Sequence, residues 1–172
     1  DVVEYVDGEG CGEVQPLVWA ALVTLRRRLE ADLLPVRITV TTTIPRAVGL
    51  AGSSAIVIAT MRAIAQLHGV TPWHAIVADR ALLASLALAA ERDTLGIAAG
   101  LQDRVVQAFD STVAMEFGDD AMRRVRGFEV GTYHRLGPLP DGLFVALRAD
   151  TGGDSGTIHA AVDPADAAVE SA

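Results

Sequence analysis

Lysine is absent from this chain of 172 residues, and all fourteen of its basic side chains are arginine. That rules out a Walker A loop, which needs Gly-Lys-Ser/Thr, and the glycines nowhere take the GxGxxG spacing of a dinucleotide fingerprint. Phosphate chemistry here must use backbone N–H groups, serine hydroxyls, a metal ion or arginine. Cysteine occurs once, as Cys11. This excludes an internal disulfide and a cysteine-based zinc cluster and suits a reducing cytoplasm, and Cys11 itself reads as a small loop residue. Long apolar runs are also missing. Although 51% of the residues are hydrophobic, the longest such run lies near 81–90, is broken by Ser85, and falls short of the roughly 20 residues that span a bilayer. No membrane partner is expected. The start of the chain carries no basic region followed by an apolar one, so no secretory signal is read and a cytoplasmic location is expected.

Net positive charge is absent as well. The formal net charge is -8, which argues against nucleic acid as a partner, because phosphate neutralisation calls for clustered basic residues. Arg26, Arg27 and Arg28 read as a solvated helix end, where cations suit the dipole. Arg123, Arg124 and Arg126 read as a second solvated face. His68, His74, His134 and His159 lack the spacing of a metal site. Trp19 and Trp73 fall on expected helices as packing residues. No repeat, heptad or low-complexity tract is present.

What the chain does have is a glycine- and serine-rich turn between a strand pattern and a helix pattern. Residues 36–43 alternate apolar and polar side chains with many β-branched ones, and Pro45 stops the strand. After the turn, Ile56, Val57, Met61, Ile64, Ala65 and Leu67 follow helical spacing, so a helix is expected to begin at Ser53 and Ser54. Free N–H groups at such a helix start favour an anion, and Gly49 and Gly52 let the backbone approach it. The same small residues also serve simply to pack a tight strand-to-helix turn, and the loop alone leaves both readings open.

Elsewhere the pattern predicts a Gly- and acid-rich loop to about residue 12 and a helix over 15–31. A long helix follows from Thr71 and Pro72 to about Arg92, apolar almost all round and therefore buried. Gly96 and Gly100 frame a turn, then come a helix over 101–109 and strands over 112–117 and 143–147. Residues 118–142 read as a connector or irregular hairpin. The tail over 163–172 opens with a helix-start signal but has little apolar surface, so fraying is expected. A second chemical cluster runs from Glu91 through Asp93 to Asp103 and Arg104, placing carboxylates at the end of one helix and the start of the next. A kinase for a small alcohol needs one carboxylate for magnesium and another for the attacking hydroxyl, and Glu91 and Asp103 can divide those tasks. The plainer alternative makes Glu91 a solvated helix end and Asp103 a dipole partner or ion-pair acceptor for Arg104.

Together, Gly49-Leu50-Ala51-Gly52-Ser53-Ser54-Ala55, the 95–105 segment LGIAAGLQDRV and the 152–159 segment GGDSGTIH resemble the GHMP small-molecule kinases, and within them the glucuronokinase branch. The resemblance covers roughly residues 36–162. It implies an α+β fold of the ribosomal-protein-S5-like type, with a mixed sheet and helices, and ATP with Mg²⁺ as cofactors. It implies domains at 1–140, the ATP-binding part lacking its first strands, and at 141–172, the truncated start of the C-terminal domain. Residues Gly49 to Ala55 would be the ATP phosphate loop, with Ser53 beside the phosphates and Ser54 and Glu91 on magnesium. Asp103 would handle the acceptor hydroxyl, and Asp154 and Ser155 would sit near a sugar or uronic acid substrate, with His159 close by. Arg46, Arg104 and Arg148 would be either partners for a uronate carboxylate or surface ion pairs. The phosphate loop has one residue more than the commonest family form, and Asp93 competes with Glu91 for the metal. The family's basic N-terminal strand and its third glycine-rich motif are not found, so the resemblance implies a central piece of a longer kinase with an unpaired sheet edge.

Overall fold

The computed structural model describes residues 2–6, 9–10, 15–29, 33, 36–45, 48–69, 73–139 and 141–143. It opens with a three-stranded sheet. β1 (Val2–Val6) runs antiparallel to β2 (Glu9–Gly10) and to β3 (Val36–Thr39), in the order β2-β1-β3. The loop expected up to residue 12 is therefore a hairpin in part, and β1 covers the edge of β3 that was expected to lack a neighbour. Val2, Val3, Tyr5 and Val6 supply β-forming residues, and pairing of Val2 with Thr39 through Tyr5 with Val36 supplies the ladder. β3 ends at Thr39 rather than at 43. Thr42 Oγ1 instead accepts from Ile44 N–H at 3.0 Å, a local bond that competes with sheet pairing.

Helices build the core of the described residues. α1 (Pro16–Leu29) and α2 (Gly52–His68) pack Val18, Leu22 and Leu25 against Val57, Met61 and Ile64, all of them buried. The long helix expected from Thr71 to Arg92 is split. A short helix α3 (Trp73–Ala78) stops at Asp79, whose carboxylate accepts from Leu82 N–H at 3.1 Å and so caps a new helix α4 (Arg80–Ala89). α4 is buried almost all round, with Leu82, Leu83, Leu86 and Ala87 in the shared core, as its composition predicts. It leads into a π-helical turn over Ala90–Thr94, and α5 (Leu101–Phe109) follows at the expected place.

The region 118–142 is more regular than expected. β4 (Val113–Glu116) pairs antiparallel with β7 (Thr132–Arg135), and between them β5 (Arg123–Val125) pairs with β6 (Phe128–Val130). The β5–β6 turn uses Arg126 and Gly127, both at positive φ (49° and 86°), the geometry of a two-residue hairpin loop. Arginine at the first position conceals that turn from sequence, where asparagine or aspartate is the usual sign. Ser85 of α4 donates to Glu129 O at 2.9 Å, docking the hairpin on the helices. The α+β character holds, and every described strand pairing is antiparallel. The expected strand at 143–147 beyond its first residue, the tail, and Cys11, Arg46, Arg148, Asp154, Ser155 and His159 lie outside the described residues. Among the described residues no helix is long and apolar enough to cross a membrane.

Candidate active site

The glycine-serine turn becomes a helix start one residue earlier than its pattern predicts, at Gly52. Gly49 takes φ +75°, a conformation that suits glycine. Ala51 precedes the helix at φ 53° and ψ 37°, in the left-handed region that costs an alanine roughly 1–2 kcal/mol. No side chain caps α2. Its first N–H groups therefore have no intrahelical partner and point out of the helix start, where the dipole favours negative charge. A Cβ added at Gly52 would lie 3.5 Å from Ile44 Cγ2, an ordinary van der Waals contact with the segment before the turn.

The Ala51 carbonyl is the anchor of this turn. It accepts from Ala55 N–H at 3.2 Å, from Ser54 Oγ at 3.0 Å and from Gln107 Nε2 at 2.8 Å. Ser54 is fully buried, and its hydroxyl proton is committed to that carbonyl, which leaves its oxygen lone pairs as acceptors. Ser53 and Ala55 are half-buried, whereas Gly49 and Leu50 are exposed.

The second cluster forms where the π-helical turn meets α5. The extra residue of a π turn shifts the helix face, so Ala90 and Glu91 are both buried while Arg92 and Asp93 are exposed. Glu91 Oε2 accepts from Arg104 Nε at 2.7 Å and lies 2.6 Å from a second guanidinium nitrogen. The third nitrogen donates to Gly100 O at 2.9 Å and lies 3.8 Å from the Asp103 carboxylate. Arg104 is 6% exposed and Glu91 is fully buried, so Arg104 is not a surface ion pair and Glu91 is not a solvated helix end. Asp93 turns the other way, 3.9 Å from Arg28 on the outer surface, and does not join Glu91.

Asp103 stands in the first turn of α5 with its side chain 56% exposed. Four residues on, and so on the same helix face, is Gln107, the residue that grips Ala51. One turn of α5 therefore separates Asp103 from the glycine-serine turn. The far end of α5 is held by Arg62 of α2, which donates to Ala108 O at 2.7 Å, and by Arg80 of α4, which donates to Phe109 O. Cations bonding the last carbonyls of a helix offset its negative end and fix its axis.

Sequence reasoning missed Gln107, Arg62 and Arg80. Nothing local marks them, since each acts on a carbonyl far away in the chain. Magnesium can be tested against the side chains present. Glu91 Oε1 is buried with no hydrogen-bond partner among the described residues, while Oε2 is occupied by Arg104. One free carboxylate oxygen fits an ion that takes one or two carboxylates and completes its shell with phosphates and water. No group of three or more His, Cys, Asp or Glu forms a ready-made metal cage among the described residues.

The family described as GHMP kinases N terminal domain matches residues 16–111, from α1 to just beyond α5. Glucuronokinase 1 of Arabidopsis thaliana is 36% identical over 121 residues, which cover 70% of this chain and 31% of that protein. Probable glucuronokinase 2 of the same organism is 37% identical over 122 residues, with the same coverage. The chain thus spans under a third of the length of the curated relatives it matches. No solved structure matches it.

Proposed function

The chain belongs to the GHMP kinase family through its N-terminal domain, and on that premise we propose that it carries the phosphate-holding and hydroxyl-activating part of an ATP-dependent sugar kinase. The acceptor we assign is glucuronate, phosphorylated at its anomeric hydroxyl, on the likeness to the two glucuronokinases. The observation that carries this reading is the Gln107–Ala51 bond at 2.8 Å, which ties the helix bearing Asp103 to the uncapped start of α2. In this reading the ATP phosphates sit against the Gly49–Ala55 turn, where free N–H groups and the α2 dipole offset their charge. The acceptor oxygen forms its bond to the γ-phosphorus as the bond to the β-phosphate oxygen breaks, releasing ADP. Asp103, exposed and one helical turn away, orients the hydroxyl and takes its proton. Ser54 and the free oxygen of Glu91 would hold Mg²⁺, which when bound neutralises phosphate charge. Arg104 pairs with the buried Glu91 carboxylate and fixes the loop before α5 through Gly100. Asp154 and Ser155 complete the acceptor site in this proposal.

The test is phosphoryl transfer from Mg-ATP to a panel of free sugars that includes glucuronate, by this chain and by a protein extended at both ends to the length of its relatives. Transfer to glucuronate ahead of galactose and arabinose is the expected result. Transfer to another sugar would reassign the acceptor. Mg-ATP binding without transfer by either form would leave a nucleotide-binding domain, and no binding would remove the kinase reading.

A further inference from the structure

Two buried side-chain oxygens lack a hydrogen-bond partner among the described residues, Glu91 Oε1 and Gln107 Oε1. The proposed function uses the first and leaves the second unexplained. Gln107 is half-buried on α5, and its amide nitrogen donates to the carbonyl of Ala51, the one residue of the glycine-serine turn that holds a left-handed conformation without being glycine. Strained backbone of this kind persists only where its surroundings enforce it. The Ser54 hydroxyl and the Ala55 amide hold the same carbonyl from within α2, so Gln107 is the contact that reaches it from another element.

We infer that Gln107 is a positioning residue, which holds Ala51 in its left-handed conformation and thereby sets the aim of the free N–H groups at Gly52 to Ser54 on the phosphates. The inference rests on the proposed function for the identity of the ligand, but not for the mechanical tie. It also explains the choice of side chain. A glutamate here has no proton to give the carbonyl and would bring a negative charge beside a polyphosphate. A methionine fills nearly the same volume and makes no bond. The buried Oε1 can only accept, so phosphate oxygens do not satisfy it, and it is suited to a donor such as a water. The bond therefore joins the phosphate turn to the helix that carries Asp103, so that nucleotide and acceptor sides are fixed against each other.

The experiment compares the wild-type chain with Gln107→Met, Gln107→Glu and a surface control, Gln66→Met on the exposed face of α2. Amide hydrogen exchange without ligand reads the tie directly. Gln107→Met should speed exchange at Ala55, whose N–H shares the anchored carbonyl, while amides in the middle of α4 keep their protection. Calorimetric titration with Mg-ATP reads the consequence. Affinity should fall about tenfold in Gln107→Met, the loss of one good hydrogen bond, and further in Gln107→Glu, with Gln66→Met unchanged. In the extended protein, the KM for the sugar should stay within twofold in Gln107→Met as the KM for ATP rises, a split that general destabilisation does not produce. Unchanged exchange at Ala55 overturns the tie whatever the ligand is, and unchanged Mg-ATP affinity with faster exchange overturns the positioning role. If the wild type transfers no phosphate but the affinity loss is found, the kinase reading fails and the role of Gln107 stands. If the wild type binds no Mg-ATP, both fail.

Discussion

The glycine-serine turn and the junction of the π-helical turn with α5 both concentrate dipole or charge, but they are built from opposite materials. The turn works with backbone: its N–H groups are left free, and its buried hydroxyl, on Ser54, is turned inward to a carbonyl. The junction works with side chains, where a buried carboxylate, a buried guanidinium and an exposed carboxylate succeed one another over a few ångströms. A backbone site needs small residues in a fixed order, and that order is a local property. A side-chain site needs partners brought from different parts of the chain, and its outcome depends on which charge is buried. Glu91 and Asp103 are both acidic residues near helix ends, yet one is fully buried and paired while the other is more than half exposed.

Substituting the exposed carboxylate should have the largest effect on turnover. Asp103→Asn in the extended protein is expected to lower kcat roughly 10²–10⁴-fold, the usual yield of a positioned acid or base, with Mg-ATP affinity preserved in titration. Retained turnover would remove Asp103 from its assigned role and erase the functional half of the contrast. At the buried carboxylate the main effect should be on stability. Arg104→Met leaves Glu91 buried without its partner and should cost about 3–5 kcal/mol in urea unfolding. Adding Glu91→Leu should restore most of that loss, whereas a double variant no better than the single one would show that the pair does not act as a unit. The smallest change is expected at the turn. Ala51→Gly relieves the left-handed strain and should add about 1 kcal/mol to folding stability, less the entropy that glycine gains in the unfolded chain. A net loss of more than 1 kcal/mol would mean that the alanine methyl packs in a way that outweighs its backbone cost.

Much of the fold was legible from periodicity. The 101–109 helix lies where its pattern predicts, and the all-round apolar stretch 81–90 lies in the core because it has no polar face to show to water. The errors have local causes. The continuous helix from Thr71 to Arg92 was read past Asp79, because a capping aspartate within an apolar-periodic stretch looks like any polar residue until its carboxylate is seen on the Leu82 amide. The hairpin at 123–130 was hidden by arginine at a turn position, and β1 by a glycine-rich context that only its pairing with β3 overrides.

The candidate site divides in the same way. Sequence by itself determined the order of small residues at 49–55, the helix that follows, and the presence of acidic residues around 91–103, because each depends on steric and hydrogen-bonding preferences within a few residues. Tertiary structure decided that Arg104 would be buried against Glu91 and approach the neighbouring Asp103 only at 3.8 Å, that Asp93 would face outward, and that Gln107, Arg62 and Arg80 would fix α5 from one side and the other. The physical reason is that a charge withdrawn from water must find a partner at bonding distance. Which partner lies at that distance is set by the packing of whole helices and not by proximity along the chain.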